Sequence, residues 1–261
     1  MHPLNVFAIT VGVVVAAKTI AWLLQLRTRN AGIVDAIWAW SLGGLALIYA
    51  GLGTAPATTR VVLALMGGTW GIRLGTHLWR RNWGQPEDFR YAKFRREWGA
   101  QADRNMFWFF QFQNVFTLML SVAAFMPIAY RPSDAPIAAI VLAIALWFTS
   151  VIGEGVADAQ MAAFRGDPAN KGRVCDRGLW RYSRHPNYFF ECLHWIAYLP
   201  LALAPGGVSW SWIVLFAPLV MAFLLMRLSG VPLLEAEMMK RKPGYADYVR
   251  STSALIPWFP K

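Results

Sequence analysis

Cysteine is nearly absent: Cys175 and Cys192 are the only two in 261 residues. No disulfide framework can hold such a chain, and a reducing compartment suits it. Acidic residues are also few, 14 against 25 Lys and Arg. A dinucleotide fingerprint is missing: Gly51-x-Gly53 is followed by Pro56 where a Rossmann turn needs Gly or Ala, and no strand precedes it. Gly67, Gly68 and Gly71 have the wrong spacing and lie inside an apolar run, where small residues serve close helix packing. Any nucleotide is therefore expected to be held by helices and loops. Metal-ligand spacing is missing too. Cys175, His185, Glu191 and His194 are the right residue types for zinc, but they match no standard pattern and the arginines among them disfavour a cation, so no metal is expected. Repeats, low-complexity tracts and long linkers do not occur, and residues 1–261 read as one domain. Met1 to Thr10 has no Lys or Arg and no A-x-A-like site follows the first apolar stretch, which reads as a retained helix and not a cleaved signal peptide.

What is present is apolar surface. Hydrophobic residues make up 57% of the chain, with 14 Trp and 16 Phe, far more than one soluble core needs. Runs of about 20 residues, the length that crosses a bilayer, fall near 4–26, 33–53, 60–79, 107–129, 136–157, 188–204 and 208–228. The expected fold is an all-α membrane protein with seven transmembrane helices. Ala204-Pro205-Gly206-Gly207 makes an antiparallel hairpin of the last two runs, and the count becomes even if the short sixth run is re-entrant. With alternate loops assigned to alternate sides, all of the 25 Lys and Arg except Lys18, Arg60, Arg73 and Arg131 collect on one side. The positive-inside rule then sets the N-terminus outside and the C-terminus in the cytoplasm. The net charge of +11 is thus read as membrane orientation and not as nucleic-acid binding. The polar segments 80–106, 158–187 and 229–261 share the cytoplasmic side, where a basic and aromatic cap over helices suits an anionic cofactor.

The densest polar cluster runs from Gly178 to Glu191, Gly-Leu-Trp-Arg-Tyr-Ser-Arg-His-Pro-Asn-Tyr-Phe-Phe-Glu. Pro186 opens a helix on which Asn187, Glu191, His194 or Trp195, and Tyr198 share one face. Glu and His one turn into a membrane helix are costly unless they face a polar cavity. The competing reading is an interfacial anchor, with Trp180, Tyr182 and Tyr188 as an aromatic belt and the arginines, Arg184 among them, on lipid headgroups. Glu154, Asp158 and Arg165 can share a helix face, accepting ribose hydroxyls on the carboxylates and phosphate on the arginine; an interfacial ion network fits equally. Asp35 lies just inside the second run, and Arg73 and His77 lie four apart in the third. These can deliver a proton within the membrane or form an Asp35–Arg73 structural pair. The loop Arg80 to Tyr91, with Asp88 and Arg90, has the donors of a phosphate lid and equally the look of a solvated loop.

These blocks resemble the steroid 5α-reductases and their bacterial relatives. The likeness rests on Ile33-Val34-Asp35-x-x-Trp38, Glu87-Asp88-x-Arg90-Tyr91, Ala157-Asp158-x-Gln160 with Arg165, Gly178 to Glu191, and the closing Tyr245-x-x-Tyr248 with Ala254-Leu-Ile-Pro257. It spans nearly the whole chain. The resemblance implies NADPH held near the cytoplasmic side and a 3-oxo-Δ4 steroid or similar enone entering from the bilayer. Hydride would reach the enone β-carbon while an acid bonds the 3-keto oxygen, where negative charge develops. Asp158, Arg165, Asn187, Glu191 and Glu235 would contact the cofactor. Arg73, Asp88, Arg90 and Glu154 would join them, as would Lys171, Tyr182, Arg184, His185, Tyr188, Trp195, Tyr245 and Tyr248. The family's glutamate and tyrosine acid pair falls near Asp35 and His77, with Tyr91 the second source of a hydroxyl. His77 stands where a tyrosine is expected, and Gly230 and Val231 where the animal enzymes have histidines. A monomer is expected, with membrane lipids around it.

Arg184-His185-Pro186-x-Tyr188 also resembles the isoprenylcysteine and phospholipid methyltransferases, which use S-adenosylmethionine; the Asp35-x-x-Trp38 and Glu87-to-Tyr91 blocks favour the reductases. A transporter would also explain charges in spans, but no paired broken helices or inverted repeats occur.

Overall fold

The computed structural model describes all 261 residues, most of them helical and none in a strand. The helices are α1 (Pro3–Thr28), α2 (Ile33–Leu52), α3 (Ala57–Asn82), α4 (Phe89–Trp98), α5 (Ala102–Ala124), α6 (Met126–Ala129), α7 (Ile137–Gly166), α8 (Pro186–Ile196), α9 (Leu199–Leu203), α10 (Phe216–Phe223), α11 (Val231–Arg241) and α12 (Tyr245–Ser251). Five helical stretches are long and apolar enough to cross a bilayer: Pro3–Thr28, Ile33–Leu52, Phe89–Ala124, Ile137–Gly166 and Ser211–Arg241. Their outer faces carry exposed Ile20 and Leu23 on α1, Val115 and Met119 on α5, and Val141, Phe148 and Ile152 on α7. Side chains of this kind in continuous stripes call for hydrocarbon around them, and helices satisfy their own backbone there.

Three expected spans differ from the rest. The third is α3, a 26-residue helix whose exposed Val61, Leu65 and Ile72 share the helix with Arg60, Arg73, Arg80 and Arg81, which lowers its mean hydropathy. The sixth is not one helix. Pro200 has no N–H for the carbonyl of Ile196 and its ring crowds that carbonyl, so α8 stops at Ile196 and the chain turns before α9. The seventh is irregular: a 3-10 turn at Ser211–Leu215, then α10, then a π turn at Leu224–Leu228.

The chain falls into two compact units, Met1–Ile140 with Leu199–Ala217, and Val141–Tyr198 with Pro218–Lys261. In the first, α2 is the buried centre, packed by α1, α3 and α5. A Cβ placed on Gly43 would lie 2.9 Å from the Cα of Gly71, so the backbones of α2 and α3 touch and only hydrogen fits between them. At one end of these helices the 83–88 loop is tied to the α1–α2 turn. Asn30 Nδ2 donates to the carbonyls of Asn82 and Gln85, both at 2.9 Å, and the Ala31 amide donates to Glu87 Oε1 at 2.9 Å. At the other end two arginines bind backbone carbonyls in and just beyond the last turns of α2 and α9, where the negative pole of the helix dipole lies. Arg60 donates to Ala55 at 2.8 Å and Ala50 at 3.0 Å. Arg131, 1% exposed, donates to Leu201 at 2.9 Å, Ala204 at 3.0 Å and Pro205 at 2.6 Å.

In the second unit, residues 178–185 lie against α7. Trp180 Nε1 donates to the Ala157 carbonyl at 3.0 Å and the Leu179 amide to Gln160 Oε1 at 2.9 Å. The C-terminal segment is laid alongside: the Arg184 amide donates to Ser253 at 2.8 Å, Ser183 Oγ to Leu255 at 2.8 Å, and the Trp258 amide to Tyr182 at 2.9 Å. The Tyr248 hydroxyl closes the seam on the Trp180 carbonyl.

Candidate functional site

Two polar groupings stand out, one in each unit. The first begins where α2 starts. Asp35 accepts a 2.6 Å hydrogen bond from the Tyr91 hydroxyl on Oδ1 and a 2.9 Å bond from Arg90 Nη2 on Oδ2. Arg90 also holds Asp88 through Nε at 2.9 Å, and Asp88 caps α4 by accepting from the Arg90 amide at 3.0 Å. Burial alone would raise the Asp88 carboxyl, but the hydrogen bonds and charge of Arg90 outweigh it and hold the group below the usual carboxylate range. The two blocks quoted from the sequence as Ile33-to-Trp38 and Glu87-to-Tyr91 thus meet in one site. Fully buried Lys18 of α1 interacts with the Asp35 charge and donates to Gln113 Oε1 at 3.1 Å. Arg73 and His77 lie half-buried on α3, one turn apart; the hydroxyl on Asp35 comes from Tyr91.

The second grouping centres on α7, α8 and the tail. Asn187 Nδ2 lies 3.4 Å from Asp158 Oδ1, and Trp195 Nε1 donates to buried Glu191 at 3.0 Å. Glu154 is buried one turn before Asp158. Arg184 is differently occupied. Its Nε lies 2.7 Å and its Nη2 3.3 Å from the two oxygens of Glu235, and Nη1 donates to the Val249 and Thr252 carbonyls. His185 Nε2 lies 3.0 Å from the same carboxylate, and its ring stacks on Tyr188 at 5.3 Å. A guanidinium with every nitrogen engaged clamps the tail; Arg184 and Glu235 are bound to each other here. Beside them the Tyr245 hydroxyl is pushed up to about 12, by burial first and then by the charge of Glu235.

Exposed Arg165, at the end of α7, reaches the neighbourhood of Lys242. The Lys242 ammonium is lowered by burial and by the Arg165 charge, and it donates to the Arg173 carbonyl at 2.8 Å. Basic side chains gathered this way favour an anion in their neighbourhood. Lys171 is exposed nearby in sequence, and Tyr182 is exposed with its ring edge-on to Phe259 at 6.0 Å. Sequence reading passed over Lys18 and Lys242. The first was visible as a cation inside an apolar helix, while the second was one of three successive bases in the tail, Lys240, Arg241 and Lys242, with nothing local to set it apart.

Helices of this length and apolarity, with ionisable groups gathered at their inner faces and ends, define a multi-pass integral membrane protein. More narrowly, residues 21–252 match the family described as Protein of unknown function (DUF1295), and the chain belongs to that family. No curated protein and no solved structure matches it.

Proposed function

We propose that this protein is a membrane-embedded, NADPH-dependent reductase of lipophilic enones, with 3-oxo-Δ4 steroids as the reference substrates. The observation that carries the reading is the Asp35–Tyr91–Arg90 group. A phenol hydroxyl is held by a carboxylate that a guanidinium fixes in turn, on helices whose outer faces meet lipid. Asp35 accepts at both oxygens, so the proton within reach of a keto oxygen is that of Tyr91. Turned from Asp35 to the substrate, that hydroxyl would stabilise the oxyanion as charge develops. Arg90 keeps Asp35 in place behind it.

NADPH supplies the hydride when bound, and the second grouping has the chemistry to hold it. Asp158 and Asn187 present an acceptor and a donor suited to ribose hydroxyls or a carboxamide, and Arg165 with Lys242 forms a dication suited to the 2′-phosphate. The topology we propose with this reading has seven crossings, with α3 as the third and α8–α9 as the sixth, the N-terminus outside and the basic segments in the cytoplasm.

The test is thermal unfolding of the detergent-solubilised protein with NADPH, NADH and S-adenosylmethionine in turn. NADPH is expected to stabilise most, because a ligand that binds only the folded state adds its binding free energy. Stabilisation by S-adenosylmethionine and none by NADPH would replace the reductase with a methyltransferase.

A further inference from the structure

Beyond Asp35, the interface of α1, α2 and α5 carries a line of buried polar side chains that the reductase chemistry leaves unexplained. Lys18 is 0% exposed and lies on the same face of α1 as Thr10, two turns away. Opposite it on α5 stand Gln113 and Asn114, and further along the same helix Thr117 and Ser121. Tyr49, near the far end of α2, places its hydroxyl beside those of Thr10 and Ser121. Tyr130 follows beyond α6, close enough to act on Tyr49 electrostatically. The line extends along α2 from Asp35 to Tyr49, about 21 Å at 1.5 Å per residue.

Two atoms in this line are orphans. Asn114 Oδ1 and Tyr130 Oη are buried and find no hydrogen-bond partner in the protein, and the Tyr49 hydroxyl between them has only the neighbouring hydroxyls of Thr10 and Ser121. Buried polar atoms almost always have partners, and isolated ones in a membrane helix interface are costly to retain. A polar seam lined by hydroxyls and amides is the setting in which buried water supplies the missing bonds. An ionisable side chain buried within a span is, in turn, a mark of ion and proton pathways, and Lys18 is such a group, near enough to Asp35 for the two charges to interact.

We propose that this seam is a hydrated proton path, running from the Tyr130 end of the helices through Lys18 to the Asp35–Tyr91 pair. The proposal rests on the reductase reading, whose chemistry consumes a proton. Hydride from NADPH, which becomes NADP⁺, forms a C–H bond at the enone β-carbon, and the π electrons move to oxygen as the enolate. One proton then forms the C–H bond at the α-carbon, so each turnover removes one proton from water. A proton that Tyr91 gives to the oxygen is released again when the enol becomes the ketone, so the net demand is the one proton at the α-carbon, and it must enter beside the Asp35–Tyr91 pair. Asp35 touches Tyr91 at 2.6 Å. The charged and titratable groups that surround this step are Lys18 on α1, Asp35 on α2, and Asp88, Arg90 and Tyr91 at the start of α4.

Two measurements decide the matter. In the first, the intact protein in lipid is labelled by brief water radiolysis, which oxidises side chains in contact with bound water even when bulk solvent cannot reach them. Tyr49 and Tyr130 are expected to label at rates comparable with exposed aromatics; protection of both, as for buried Phe110, would overturn the hydrated seam. In the second, NADPH oxidation with progesterone is followed for Tyr49→Phe and Lys18→Met in H2O and D2O. Tyr49→Phe keeps the ring and deletes one hydroxyl far from Asp35, so a purely structural role would show in the melting temperature and leave the rate and its isotope effect unchanged. The seam predicts a loss of threefold or more with an enlarged solvent isotope effect, and a loss of tenfold or more for Lys18→Met, with NADPH affinity unaltered in both. Wild-type rates and isotope effects in both variants would overturn the path and leave the reductase standing, whereas a wild-type protein inactive on every enone would remove the reductase reading itself and the path with it.

Discussion

Single residues divide into those whose hydrogen bonds are complete within the fold and those that can exchange a partner for substrate. Tyr91 belongs to the second kind. Its one proton is donated to Asp35 in a hydrogen bond, and a keto oxygen can compete for it. Tyr91→Phe is expected to lower enone reduction by about a hundredfold or more, the usual range for a lost general acid, while NADPH affinity stays near normal. His77→Phe should cost much less. Single-turnover NADPH oxidation compares them; equal losses, or a larger one at His77, would move the acid to α3. Arg184 belongs to the first kind. Removing it strands Glu235, whose side chain is 17% exposed, beside His185, and breaking a buried pair by deleting one partner costs about 3–5 kcal/mol. Arg184→Ala should therefore lower the melting temperature of the ligand-free protein. Unchanged melting with weakened NADPH binding would return Arg184 to the cofactor site.

Elements show which parts of this architecture were legible in the sequence. Hydropathy acts on each residue where it stands, so the long apolar helices α1, α2, α5 and α7 could be read directly. The end of α8 was also written locally, in Pro200, but its weight was lost in an apolar run that looked continuous. The glycines of α3 were legible as packing residues, and the structure adds their partner, Gly43 of α2. That contact makes a prediction. A Cβ on Gly71 would lie 2.9 Å from the Ala39 carbonyl oxygen, so Gly71→Leu must push α2 and α3 apart, at a cost of about 1–3 kcal/mol for overpacking. Denaturant or thermal unfolding reads this loss; a variant as stable as wild type would mean that α3 can slide freely on α2. What the sequence withheld was pairing across distance. Asp35 meets Tyr91 from 56 positions away, and Arg184 meets Glu235 from 51; no local period links such partners, because it is tertiary packing that brings them together.

For the whole molecule, charge is the organising quantity. Under the seven-crossing topology, cysteines introduced one at a time at Gln85 and Ser133 should react with an impermeant maleimide from opposite sides of sealed vesicles. The native Cys175 and Cys192 are buried and give little background. Labelling of both from one side would break the topology. The exceptions to the charge asymmetry are informative. Under the same topology Arg60 and Arg131 would be the two loop-proximal cations on the sparse side, and both spend their guanidinium on backbone carbonyls. They serve as fasteners of helix ends and offer little to anything outside. Anionic phospholipids in the leaflet next to them would find almost no cation to bind, while those of the opposite leaflet would face a dense basic rim. Such a protein should gather acidic lipids around one of its two faces only, and so impose a compositional difference between leaflets wherever it is abundant.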